Sequence, residues 1–147
     1  MKIEGMRIKE LTTASEGQVK DILSLMGELT SSTVVTPEML AQAMASATSH
    51  FFAIMADDDH IIGCATLCVY ASPTGRKASV EDVVVSASYR GQGLGRRLME
   101  HVIGYAKTEL HDVDIQLTSR PHRVAANELY QQLGFQKKDT NVYVMKA

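Results

Sequence analysis

The spacing of apolar residues changes several times along the chain, and each change marks a new element. Residues 7–11 alternate weakly between polar and apolar and predict a first strand. Val19, Ile22, Leu23, Leu25, Met26 and Leu29 then recur at helical spacing, with Ser15 placed to cap the helix. Thr36-Pro37-Glu38 reads as a second helix start, with Thr36 as cap and Pro37 at the first helical position. Residues 39–44 continue that helix. Phe51-Phe52-Ala53-Ile54-Met55 and the apolar run 61–70 flank the acidic turn Asp57-Asp58-Asp59, which predicts a hairpin. Beyond the loop at residues 71–76, the β-branched segment 78–85 predicts a third strand, with Glu81 and Asp82 set into it. The three strands should be antiparallel and central in the sheet.

The second half changes period again. Leu94, Leu98, Val102, Tyr105 and Ala106 share one helical face, widened by Met99 and Ile103. Asp114-Ile115-Gln116-Leu117-Thr118 reads as a strand, parallel to its predecessor if that long helix is the crossover. Residues 124–133 predict a short helix ended by Gly134, with Phe135 packing back on its last turn. Asn141-Val142-Tyr143-Val144-Met145 predicts a final strand. No internal repeat, low-complexity tract or linker interrupts the pattern. One domain over residues 1–147, of α/β order with a mixed sheet, is the expectation.

Composition narrows the functional classes. A chain of 147 residues can bury a real core, and 45% hydrophobic with 22% charged residues is ordinary for a globular protein. A net charge of -2 gives no general attraction to nucleic acid or anionic membrane, and three Phe, five Tyr and no Trp make a poor base-stacking platform. No apolar run reaches the roughly 18 residues needed to span a bilayer. Met1-Lys2-Ile3-Glu4-Gly5 lacks the apolar core of a secretory signal, so a cytoplasmic location is expected. Cys64 and Cys68 lie four apart in a strand, about 13 Å from each other. They can share neither a disulfide nor a metal and are read as buried free thiols. The five histidines show no metal spacing, so no metal is expected.

The informative segment is the junction of strand 78–85 with the long helix, Arg90-Gly91-Gln92-Gly93-Leu94-Gly95. N–H groups at a helix start have no partner inside the helix and, with the positive end of its dipole, form an anion site. Glycine lets the backbone approach phosphate oxygens, and Arg90, Arg96 and Arg97 add positive charge. A Walker loop would end in Gly-Lys-Ser/Thr, which is absent. A dinucleotide fingerprint would need a third glycine where Arg96 stands, and a parallel sheet from the start. What remains is either an Arg-x-x-Gly-x-Gly turn of the kind that grips the pyrophosphate of coenzyme A or a tight turn whose glycines serve only geometry.

The stretch 81–95, Glu81-Asp82-Val83-Val84-Val85 followed by that turn, resembles the signature strand and turn of the GNAT acetyltransferase superfamily. A second block, residues 123–135, is similar to that superfamily's downstream helix with its Asn, Leu-Tyr and Gly-Phe at 127, 129–130 and 134–135. The resemblance covers roughly residues 50–147 and implies a mixed sheet of about six to seven strands with about four helices. It further implies an acetyl-CoA-dependent N-acetyltransferase. Backbone groups of Val83, Val84 and Val85 would pair with the pantetheine arm like an added strand. Arg90, Gly91, Gln92, Gly93, Leu94, Gly95 and Arg96 would hold the pyrophosphate through their N–H groups. Asn127 would help fix the arm, and Tyr130 would sit near the thioester sulfur. The superfamily often dimerises, and the final strand is the segment that would take part in a homodimer.

Chemistry assigns roles within that frame. Tyr130 is the candidate acid: its reference pKa of about 10 lies above that of a thiol at about 8.5, so protonating the leaving thiolate is downhill. It also falls in an apolar set with Ala126, Leu129 and Leu133, so a packing role stands beside the acid role. Glu81 is the candidate base, directly or through a water. The Glu81-Asp82 pair resembles glucosamine-6-phosphate N-acetyltransferases, and strict alternation would put the two on opposite faces of the sheet. Three functions stay open: acetylation of a small-molecule amine, acetylation of a protein or peptide amine, and non-catalytic acyl-CoA binding.

Overall fold

The computed structural model describes residues 5–147. The stretch Met1–Glu4, read above for a secretory signal, lies outside the described residues. The chain divides into two compact units, Met1–Leu117 and Thr118–Ala147.

In the first unit, β1 (Arg7–Glu10) leads to α1 (Glu16–Leu29) and α2 (Pro37–Ala45). Both helices start as the caps predict. Ser15 Oγ accepts the Gln18 N–H (3.2 Å) while Gln18 Oε1 accepts the Ser15 N–H (3.0 Å), a closed capping box. Thr36 Oγ1 accepts the Met39 N–H at 3.2 Å, with Pro37 at the first helical position. The strands β2 (Ser49–Met55), β3 (Ile61–Ser72) and β4 (Gly75–Val85) follow as an antiparallel meander. A single 3₁₀ turn (Ala87–Tyr89) leads into α3 (Leu94–Tyr105). Its last turn widens to a π-turn (Ala106–Leu110) before β5 (Asp114–Gln116). The sheet order is β1-β2-β3-β4-β5, and β5 runs parallel to β4, so α3 is the crossover.

Alternation along the strands loads both faces. Phe51, Ala53, Met55 and Cys64 pack with Ile22, Leu25 and Met26 of α1 and Leu40 and Met44 of α2. The intervening residues Phe52, Ile54, Leu67, Ala78 and Val80 are buried on the other face, toward α3. There the Phe52 ring meets Tyr105 edge-on, with centroids 5.2 Å apart. Burying side chains of this size contributes about 1.5–3 kcal/mol each. Cys64 is fully buried and Cys68 partly so, both as free thiols; burial, then the Asp82 charge, pushes the Cys64 thiol up to about 12.

The second unit contains α4 (Val124–Gln132). The chain leaves it as predicted. Gly134 adopts φ 105°, Phe135 donates its N–H to the Tyr130 carbonyl (3.0 Å), and the two rings stand edge-on at 6.1 Å.

Five strands form among the described residues, against the six to seven expected. The difference includes residues 141–145, which form no strand although Val142, Tyr143, Val144 and Met145 have the composition of one and are exposed. β-Propensity is satisfied only by a partner strand, and here no ladder is made. The strand predicted at 114–118 also stops short, at Gln116. Among the described residues no helix is long and apolar enough to cross a membrane.

Candidate cofactor and catalytic site

The site begins with an irregularity in β4. Cys64 pairs with Val84 but Thr66 pairs with Glu81, so two steps on β3 oppose three on β4. This is a β-bulge, and Asp82 within it has φ 53°, a left-handed conformation that Asp tolerates better than most residues. The extra residue reverses the alternation beyond it. Val80 lies on the α3 face, whereas Val84 is buried in the cluster under α1 and α2. The strict alternation expected for Glu81 and Asp82 therefore does not apply at this pair. Glu81 lies opposite Thr66, and the Ser79 hydroxyl donates to its Oε1 at 2.6 Å, which holds the carboxylate in one orientation. The Asp82 carboxyl is raised above its ordinary range by partial desolvation and then by the Glu81 charge beside it.

The bulge sits where β4 leaves its parallel neighbour. β5 pairs only with Lys77–Ser79, so the β5-side edge of residues 80–85 carries no partner in that ladder. Ser86 donates its N–H to Ile62 across the other edge at 2.8 Å, and alternation then turns the Val85 N–H and C=O toward the opening. The Val85 carbonyl accepts from Arg90 Nε at 3.0 Å, leaving its N–H to face the gap. A strand edge with outward donors can take an extended amide-bearing ligand as an added strand.

The glycine turn follows at once. Gly91 and Gly93 have φ 80° and 75°. A Cβ at either position would meet no atom within 4 Å, so conformation rather than room calls for glycine. Gly93 is the N-cap of α3 and offers no side-chain cap; the first bond inside the helix runs from the Arg97 N–H to the Gly93 carbonyl, 3.1 Å. The N–H groups of Leu94 and Gly95 thus point out of the helix start, where its dipole is positive. Leu94 is buried and anchors this end. The arginines are less available than their number suggests. Arg90 lies 4.0 Å from Glu28 and Arg96 lies 3.5 Å from Glu100. Glu28, on α1, also accepts the Ala87 N–H at 2.9 Å. Sequence pattern did not single it out, since a glutamate on the polar face of a helix carries no signal of its own.

In the second unit, Asn127 and Tyr130 lie three apart on α4, a spacing that puts them on one face. Asn127 Nδ2 donates to the carbonyls of Arg120 (3.0 Å) and Pro121 (3.5 Å), pinning the loop ahead of the helix and leaving its Oδ1 as an acceptor. Tyr130 is buried; burial raises its phenol above the usual value, and the Arg123 charge opposes the rise only in part. Arg120, His122 and Arg123 are exposed.

The sequence profile described as Acetyltransferase (GNAT) family matches residues 19–135. The chain belongs to that family. It is an acyltransferase of the GNAT type, and the family uses acetyl-CoA as co-substrate. Solved acetyltransferase structures share the fold at low identity. A putative acetyltransferase from Agrobacterium tumefaciens superposes with a TM-score of 0.80 at 22% identity, covering 95% of this chain and 99% of that one. Glucosamine-6-phosphate N-acetyltransferase from Arabidopsis thaliana gives 0.74 at 19% identity, with 97% and 99% covered. An aminoglycoside 6'-N-acetyltransferase from Acinetobacter baumannii gives 0.74 at 21%, again with 97% and 99% covered.

Proposed function

We propose that this GNAT protein moves the acetyl group of acetyl-CoA directly to a primary amine of a small molecule, with no covalent enzyme intermediate. Residues 1–147 would act as one N-acetyltransferase domain, a reading supported by a family match that runs across the boundary between the two units. The observation that carries the proposal is one continuous segment: an open, bulged strand edge followed by left-handed glycines at a helix start. Such a segment fits both halves of coenzyme A, strand-edge donors for the pantetheine amides and a positive helix terminus for the pyrophosphate.

Bound there, acetyl-CoA would supply an activated acyl group on a thiol that can leave. Val83, Val84 and Val85 would hold the arm by their backbone, with the Val85 N–H available to polarise the acyl carbonyl. Arg90 to Arg96 would hold the pyrophosphate. Glu81, oriented by Ser79, would take the proton from the amine directly or through a water. Tyr130, kept protonated by its burial, would give one to the thiolate. Asn127 Oδ1 would accept from the arm. A small-molecule acceptor draws support from the fold relatives named for amino-sugar phosphate and aminoglycoside acetylation.

The test is thiol release from acetyl-CoA across a panel of amino sugars, aminoglycosides, polyamines and peptides. Turnover with a small amine is expected. Release with peptides alone would move the acceptor to protein. Coenzyme A binding with no release from any amine would reduce the protein to a binding module.

A further inference from the structure

We propose that Glu28 of α1 is a positioning residue for the cofactor turn, its carboxylate fixing the corner through which β4 passes into the start of α3. The proposal rests on the reading of that turn as the pyrophosphate site.

Glu28 Oε1 accepts the Ala87 N–H at 2.9 Å, a bond that spans 59 positions in sequence. The same oxygen lies 4.0 Å from the Arg90 guanidinium. Arg90 in turn donates from Nε to the Val85 carbonyl at 3.0 Å. One carboxylate therefore holds the corner directly at Ala87 and lies within ion-pair distance of Arg90, three residues further on. Within the corner, the Tyr89 N–H bonds to the Ser86 carbonyl at 2.9 Å, and the Arg90 N–H reaches Ala87 only at 3.5 Å. The first N–H of a 3₁₀ turn has no partner inside the turn. Here a side chain from a separate helix supplies it.

The charge makes the placement informative. A carboxylate beside an anion-binding turn repels the anion, so Glu28 weakens phosphate binding unless it does something else. Its contacts show what: the bond to Ala87 fixes the residues that lead to Gly91 and Gly93, and the carboxylate stands as counter-charge 4.0 Å from Arg90. Loss of the carboxylate leaves the Ala87 N–H without its partner and Arg90 held only through Val85, and the segment leading to Gly91 and Gly93 is then less firmly placed. The cost should fall on the pyrophosphate half of the ligand and spare the pantetheine half, which the β4 backbone holds by its pairing with β3.

Isothermal titration with coenzyme A and with pantetheine, which lacks the pyrophosphate, separates these halves. Glu28→Ala should weaken coenzyme A about tenfold and pantetheine less than twofold. Glu28→Gln keeps an oxygen for Ala87 and should stay within about threefold of wild type. Ala87→Pro removes the donor from the other side. It should match Glu28→Ala, and the double variant should be no weaker than either single one. Unchanged coenzyme A affinity in Glu28→Ala, or an equal loss for both ligands, overturns the role. A wild-type protein that binds no coenzyme A overturns the cofactor reading itself and this role with it.

Discussion

Tyr130 carries the most weight among single residues, because burial sets both its packing and its acidity. Desolvation raises the phenol above its ordinary value of about 10, so it remains protonated throughout the neutral range. As an acid it acts only while protonated, so the rate should fall on the alkaline side, at a pH above the ordinary phenol value. Tyr130→Phe should lower kcat by about 100-fold, within the range of general acid catalysis, with coenzyme A affinity near wild type and the alkaline fall gone. Unchanged turnover would leave Tyr130 as a packing residue edge-on to Phe135. Its place on a short helix was legible from the periodicity of residues 124–133. The Asn127 bonds to the Arg120 and Pro121 carbonyls were not legible, since a loop's path is not written in its composition.

At the scale of elements, caps and junctions were readable because they depend on near neighbours. Ser15, Thr36 with Pro37, and the exit at Gly134 all form as their local chemistry dictates, and Gln18 closes the Ser15 cap into a box. The β4 bulge was not readable. It is a mismatch between two strands, and a single strand's alternation cannot show it. The bulge also sets two carboxylates side by side with Asp82 in the left-handed region, which gives it a pH signature. A carboxyl whose folded value is raised favours the fold when protonated. That contribution is present below the unfolded value of about 3.9 and is lost as pH rises through the raised one. Asp82→Asn mimics the protonated form and suits the positive φ. Thermal unfolding should show it more stable than wild type at pH 7, by a few tenths to about 1 kcal/mol, and equal to wild type near pH 3. A variant less stable at pH 7 would show that the Asp82 charge has a favourable partner.

For the whole molecule, the order of elements was legible from apolar period alone, including the antiparallel meander and the parallel return through α3. The final strand was not, because residues 141–145 carry the propensity without the partner that would use it. The glycine-rich junction at Arg90 to Gly95 was legible between strand and helix, and the structure adds how it is built. Gly91 and Gly93 are required by backbone conformation, the helix start offers N–H groups, and a glutamate from α1 steadies the approach. The measurement that bears most directly on this account is a crystal structure of the protein with coenzyme A. The pyrophosphate should lie against the N–H groups of residues 91–95, with the pantetheine arm paired to Val83, Val84 and Val85 along the open edge of β4. Coenzyme A bound elsewhere, with that edge and turn empty, would contradict it.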